Sequence, residues 1–474
     1  MLATQAQTLA EAPATQADTK RRQCMQQAWK AYRGELQDPL KVAKDQPNDN
    51  VKSNRCAPIV DKGVSFLFGQ TLKIECDDQE DLDSFWGDDD DKMTTLTKLA
   101  MNGGVCGQPF VKLIPSEDGV PPRMVILDPM LLRIITLPDD CELHIAYIIE
   151  YPVNTHMQKR QIIARVDPRN DLYALGEKDV EDTWTITNYT RRGDNGTWSQ
   201  DGTPQDWPYP FAPIFTCQNL PNPNEPWGIP DLTQDLIEMN KVLNFILSNI
   251  SRVVKYHGHP VTWASGIGAS QIKMDIDNLI VLQSESAKIE KIAAMENFTG
   301  LLSVVADLRS DMDEQSRIPA VALGRLVDLP KGNISGVALQ LLFQPIIEKT
   351  ILKQRLYGKL IRELSRAALV LCGKLSIEEY ADYSIDLHWQ NLLPVDDLAA
   401  AQTAILWQQL GVSNATLIQG AGFDPDAEAE KSQAEDQQKM QNYANGTGLP
   451  PVRQAQQAIQ QDSQIAQKDG MGNE

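Results

Sequence analysis

The stretch Arg325-Leu326-Val327-Asp328-Leu329-Pro330-Lys331-Gly332-Asn333-Ile334-Ser335-Gly336-Val337-Ala338-Leu339-Gln340-Leu341-Leu342 decides how this chain is read. Pro330 removes an amide donor and Gly332 frees the backbone, so the first half is a constrained loop. Ser335 stands where a hydroxyl can accept from the free N–H groups of a first helical turn. The helix it starts is predicted over 335–373. It is basic, although the chain carries a formal net charge of −20. Lys349, Lys353, Arg355, Lys359, Arg362 and Arg366 face only Glu348 and Glu363. Lys349/Lys353, Arg355/Lys359 and Arg362/Arg366 are like-charged i, i+4 pairs, which oppose helix formation. Something must offset them, either nucleic acid or acidic surfaces of neighbouring copies. The acidic composition favours neighbouring copies, with the long stems covering apolar surface.

Upstream, Ser316-Arg317-Ile318-Pro319 ends a helix predicted over Phe298–Ser316. A longer helix over Asp231–Tyr256 carries Leu232, Leu236, Met239, Leu243, Ile246, Ile250 and Val253, alternately four and three residues apart. That stripe packs either in the chain's own core or against identical neighbours. Between the two helices, residues 260–296 read as a small module. Its short strands are expected at Pro260–Trp263, Leu279–Leu282 and Lys288–Ile292, with a helical turn near Ala269–Met274. His257 and His259 have no carboxylate near them in sequence, and no metal is expected there.

In the N-terminal half, residues 1–20 read as disordered and Arg21–Leu36 as a helix. Ile59, Val60, Val64 and Leu67 follow the 3.6-residue period, with Gly69 at the helix end. Glu75–Asp91 holds ten acidic residues and no basic one. It reads as a solvated loop, because the spacing of a calcium loop is absent. A short helix at Thr94–Met101 follows. Strands are expected at 105–113, 123–127, 131–136, 143–151, 161–166 and 183–190, mostly antiparallel. Eight prolines within 203–230 exclude a helix and suggest a boundary. Downstream, 383–389 alternates as a strand able to return to the first domain. Asp396–Leu410 and Ser413–Gln419 read as a helical pair split at Gly411. Beyond about residue 430 the chain is Gln-rich and lacks apolar anchors.

Composition excludes several classes. The acidic balance argues against a free-standing DNA-gripping domain, whose affinity comes from Lys and Arg neutralising phosphates. Seven scattered cysteines without a Cys-x-x-Cys argue against a disulfide scaffold or a zinc site. No apolar run reaches the roughly 18 residues that span a bilayer, and the first 17 residues lack the features of a signal peptide. Phosphate-loop, dinucleotide and nucleophile-elbow motifs are absent. No catalytic, cofactor or metal residues are assigned.

Helix, Pro exit, loop, Ser-Gly start and long helix, in that order, resemble the channel-lining part of a tailed-phage portal protein. Two further stretches are similar to that family. Asn54 through Ile59-Val60-Asp61 to Phe66-Leu67-Phe68-Gly69-Gln70 resembles the helix near the start of its wing. Trp227-Gly228-Ile229-Pro230-Asp231-Leu232 resembles the start of its first stem helix. The resemblance covers roughly 50–420. It implies an α+β ring-forming subunit with an α/β wing, a two-helix stem carrying a small α/β clip, a long tunnel helix and a helical crown. The expected divisions are an N-terminal arm (1–50), partly disordered, and a wing (51–230). The stem and clip follow as first stem helix (231–257), clip (258–296) and second stem helix (297–317). Then come the tunnel loop region (318–334), tunnel helix (335–373), return strand (374–394), crown (395–430) and disordered tail (431–474).

The family implies a ring, typically of twelve subunits, at one capsid vertex of the virion, made in the host cytoplasm. Double-stranded DNA passes through the ring during packaging and ejection. Implied partners are the terminase large subunit, which hydrolyses the ATP, head-completion or adaptor proteins, and major capsid and scaffolding proteins. No membrane and no cofactor is involved. Arg325, Asp328, Lys331, Gly332 and Asn333 become the DNA-facing tunnel loop. The six basic residues become the basic face of the tunnel helix. The Leu232–Val253 stripe becomes the stem contact between subunits. Two readings from other classes remain: a metal-dependent nucleic-acid hydrolase built on the 75–91 acids, and a structural head protein without a channel.

Overall fold

The computed structural model describes residues 9, 11–42, 48–116, 119–137, 139–154, 156–166, 183–193, 196–258, 262–265, 288–291, 299–325, 336–392, 406–409, 412–420 and parts of 428–437. The chain divides into two units, Met1–Leu392 and Leu393–Glu474.

In the first unit, helix α1 (Gln16–Tyr32) opens with a capping box. Thr15 accepts from the Asp18 amide, and the Asp18 carboxylate accepts from the Thr15 amide. This helix starts earlier than expected, so residues 16–20 are ordered helix and not a flexible arm. Pro13 and Ala12 are also held, because their carbonyls accept from the buried Arg133 guanidinium. Helix α2 (Cys56–Phe68) buries Cys56, Ile59, Val60, Val64, Leu67 and Phe68 at the centre of the main core. Its C-cap is Gly69.

The acidic run from Glu75 is not a loop. Strand β1 (Lys73–Glu75) leads into helix α3 (Gln79–Trp86) and helix α4 (Asp89–Cys106). Glu80 and Asp81 sit in the first turn of α3, and Asp89, Asp90 and Asp91 in that of α4. Asp88 caps α4 by accepting from the Asp91 amide. Carboxylates are favoured at helix N-termini, where the free N–H groups point outward. The charge that suggested a solvated loop is therefore spent on starting two helices.

Three antiparallel sheets follow. Strands β2 (Phe110–Ile114), β3 (Arg123–Leu127) and β10 (Ile214–Thr216) form one, ordered β10-β2-β3. The second runs β4 (Leu132–Thr136), β5 (His144–Asn154), β6 (Met157–Val166), β7 (Thr183–Arg192) and β8 (Ser199–Gln200), with β9 (Gln205–Trp207) also paired to β7. Strand β13 (Asp386–His388) returns across the chain to pair with β1, Ile74 opposite Leu387. The proline-rich 203–230 is not a boundary. Phe211, Ala212, Ile214, Phe215 and Trp227 from it are buried in the same core as α2.

Helices α5 (Gln234–Gly258) and α6 (Thr299–Ser316) pack together. Between them, strands β11 (Thr262–Ser265) and β12 (Lys288–Lys291) pair antiparallel. The expected strand at 279–282 and turn at 269–274 lie outside the described residues. Helix α7 (Gly336–Leu371) runs 36 residues through Pro345. Proline inside a helix costs about 3 kcal/mol. The turns that follow offset this, because Ile346, Tyr357, Leu360, Ile361 and Leu364 are almost wholly buried. In the second unit, residues 406–409 are helical and α8 (Asn414–Gly420) starts where the Ser413 hydroxyl accepts from the Thr416 amide. Residues 396–405 and the division at Gly411 lie outside the described residues.

Candidate functional site: the junction of stem and long helix

Three segments meet at one buried carboxylate. Asp231 precedes α5, and its amide donates to the Gly104 carbonyl at 2.8 Å. Its side chain is fully buried, as are the Lys349 and Lys353 side chains of α7 that grip it, at 5% and 2% exposure. Lys349 Nζ lies 2.9 Å from Asp231 Oδ1, and Lys353 Nζ bonds Oδ2. Burial alone would raise the Asp231 carboxyl, but the two ammonium groups outweigh it and hold the pKa at about 2. Burial pushes the Lys353 ammonium below its ordinary value, with Asp231 opposing that shift.

Two cations on one carboxylate leave a positive excess in the core. Lys349 Nζ also donates to the Ser316 carbonyl at 2.9 Å. Ser316 ends α6, where free carbonyls carry the negative end of the helix dipole. The end of α6 thus acts as the second counter-charge, and the start of α5, the end of α6 and the side of α7 are joined at one point.

Small residues make room for the group. A Cβ on Gly63 would meet Asp231 Oδ2 at 3.1 Å, one on Gly104 would meet it at 3.0 Å, and one on Gly103 would come 1.9 Å from the Tyr357 hydroxyl. That hydroxyl donates to Asn219 Oδ1 at 3.1 Å, and Asn219 Nδ2 reaches the Ile229 carbonyl at 3.2 Å.

A second node sits one turn back on α6. Asp313 pairs with Arg55 at 2.6 Å and with Arg325. The helix closes in a Schellman arrangement: Ile318 N–H bonds the Asp313 carbonyl and Arg317 N–H the Glu314 carbonyl. Arg317 takes the left-handed position, φ 58°, usually given to glycine. Ile318 is fully buried beneath it. The sequence between Arg325 and Gly336 therefore leaves from an anchored α6 and re-enters an anchored α7.

The predicted site residues divide accordingly. Of the tunnel-loop set, Arg325 is held by Asp313, and Asp328, Lys331, Gly332 and Asn333 lie outside the described residues. The basic helix does not need an external partner along its whole length. Lys349 and Lys353 are compensated inside the chain by Asp231 and the carbonyl end of α6, and Arg362 and Arg366 donate to the carbonyls of Ile385 and Tyr383. Arg355 and Lys359 remain exposed, with Glu363 3.9 Å from Lys359. The stripe on α5 is likewise internal. Leu232, Leu236 and Leu243 are buried in the chain's own core, Met239, Ile246 and Ile250 pack on it, and Val253 is half-buried.

Sequence reasoning missed the polar ladder beside that stripe. Asn240 and Asn244 accept from the amides of Arg55 and Ser53, and Ser248 accepts from that of Val51. Helix residues four apart rise about 6 Å, close to the spacing of alternate residues in an extended chain. The signal was present as three small polar residues at i, i+4 and i+8 on an apolar helix.

A helix, an inserted pair of antiparallel strands, a returning helix and a long helix pinned to both helix ends complete the arrangement. The sequence profile of the family described as "Phage portal protein, SPP1 Gp6-like" matches residues 12–442. The chain belongs to this portal family. No curated protein matches the portal subunit. Among solved structures, a chain in the virion of a native gene transfer agent (GTA) particle is 13% identical, with TM-score 0.44. One in the neck of an empty GTA particle computed with C6 symmetry is 12% identical, with TM-score 0.46. Each match covers 78% of this chain and 90% of the other.

The acids of 75–91 are not gathered into one cluster. Six of them, Glu80, Asp81 and Asp88 to Asp91, lie at two helix N-termini, and among the described residues no group of three or more His, Cys, Asp or Glu is placed to hold a metal. No helix among the described residues is long and apolar enough to cross a membrane.

Proposed function

We propose that twelve copies form the channel at a capsid vertex and that residues 326–335 project into it from the junction described above. The observation that carries this reading is the anchoring of both flanks of that segment. Arg325 is tied to Asp313, and α7 is tied to the end of α6 through Lys349 and Ser316. Flanks so held keep their positions while DNA moves past. Asp328, Lys331, Gly332 and Asn333 are its DNA-facing residues in this reading.

The stem supplies the wall. On α6, Val305, Met312 and Ser316 are buried, and the opposite side presents Ser303, Asp307, Ser310 and Glu314, all exposed. These residues recur at helical spacing and include no cation. Turned toward the axis, they would form acidic rings that repel phosphates and let DNA slide. The chain would do no chemistry itself; the terminase large subunit would supply ATP hydrolysis, with head-completion proteins docking after packaging and capsid and scaffolding proteins surrounding the ring. Phage carrying Asp307→Lys with Glu314→Lys should still form rings but package DNA less efficiently. Normal packaging by that variant would remove α6 from the wall.

A further inference from the structure

The stem has a second unsatisfied surface that the buried stripe does not explain. Val242 and Phe245 are each 47% exposed on α5, beside a groove of about 630 Å³ lined also by Lys30, Glu35, Leu36, Asp38, Pro39 and Lys241. On α6, Val304 is 44% exposed and lies on the same helix flank as the exposed Asp311, seven residues on. Asp311 has no ion-pair partner among the described residues. One surface sets Val242 and Phe245 beside Lys241, with both lysines and carboxylates at the rim of the groove, and the other sets Val304 beside a carboxylate with no ion-pair partner among the described residues. Neither matches itself, so contact between them is heterologous and propagates around a ring.

We propose that the Val304–Asp311 flank of α6 in one copy docks on the Val242–Phe245 face of α5 in the next copy, with Asp311 paired to Lys241. This rests on the ring reading. The register follows from the chain itself. Arg55 contacts Asn240 through its amide and Asp313 through its guanidinium, which places those two residues within the length of one arginine side chain of each other along the helices. The two helices pack together and are taken as antiparallel, with the paired strands β11 and β12 between them in sequence. Nine residues, about 13.5 Å of helix, lead from Asn240 to Asn249 and from Asp313 back to Val304. Rotation about an axis along the stem shifts nothing axially. The next copy's Val304 therefore arrives level with Asn249, and its Asp311 level with Val242 and Lys241. Lys241 already contacts Glu238 at 2.7 Å on the surface, an exposed pair of small value that leaves the ammonium free to serve both carboxylates.

The experiment uses the full chain. Asn249→Cys with Val304→Cys, oxidised after assembly, should give a ladder of covalent species larger than a dimer on non-reducing gels, which neither single variant gives. Asp311→Lys alone should abolish the ring peak in size-exclusion chromatography, and adding Lys241→Glu should restore it. Rings seen by microscopy without the ladder, a product that stops at dimer, or failure of the charge swap to rescue would each overturn this interface while leaving the ring intact. Absence of rings in the unaltered chain would instead sink the reading on which it rests.

Discussion

Replacing Asp231 with Asn keeps the shape of the junction and removes the carboxylate that Lys349 and Lys353 share. Lys349 retains the Ser316 carbonyl, but Lys353 is left with a neutral amide in a fully buried site. Removing one partner of a buried ion pair typically costs about 3–5 kcal/mol. The alternative for Lys353 is to lose its proton. From an unfolded pKa near 10.4, neutralisation at pH 7 costs about 5 kcal/mol at 1.36 kcal/mol per unit. The two routes agree, so Asp231→Asn should lose about 3–5 kcal/mol at pH 7. They also give a pH signature. If Lys353 is neutral in the folded variant, the unfolded state binds more protons, and stability rises with pH up to about 10. The penalty should then shrink by up to about 1.4 kcal/mol per pH unit above 7. Urea denaturation followed by fluorescence of the buried Trp86 and Trp227, at pH 7 and pH 9.5, measures both effects. A variant within about 1 kcal/mol of the parent at pH 7, or a penalty unchanged at pH 9.5, would refute the account of the junction.

Further outcomes follow from the same geometry. Gly103→Ala should destabilise by about 1–3 kcal/mol through its clash with the Tyr357 hydroxyl, and Tyr357→Phe in the same chain should recover part of that loss in a denaturation double-mutant cycle. Arg317→Gly should raise the melting temperature by relieving the left-handed residue, worth about 1 kcal/mol, whereas Arg317→Val should lower it. In the unaltered chain, the Asp231 carboxyl is depressed on folding. Its contribution is complete above about pH 4 and is lost as pH falls toward about 2, which acid titration of near-UV circular dichroism should register. Lys359→Ala should change stability by no more than about 0.5 kcal/mol, in contrast to Lys353→Ala, because Lys359 is exposed.

Helices α5, α6 and α7 were legible because their apolar periods are long and their ends are marked by Ser, Pro and Gly. The antiparallel strands were legible from alternation and Asp-Pro turns. Periodicity did not reveal what each face meets. The α5 stripe has the same spacing whether it packs on α2 and α6 or on another copy, and only the tertiary structure shows that it packs inward. The like-charged pair Lys349/Lys353 looked unsatisfied because its partner, Asp231, lies 118 and 122 residues away in sequence. The acidic run misled for a local reason, since carboxylates that favour loops also favour helix starts. Of the signals overlooked, the Asn240, Asn244 and Ser248 ladder was the readable one, because polar residues repeated every fourth position on an apolar helix require partners.

The central claim is that this subunit closes into a ring around an open tunnel whose stem wall is acidic. Electron microscopy of the purified full-length protein, averaged without imposed symmetry, tests it most directly. Rings of about twelve subunits are expected, with a hole wide enough for duplex DNA and α6 innermost. Monomers at high concentration, or closed particles with α5 facing the axis, would contradict it.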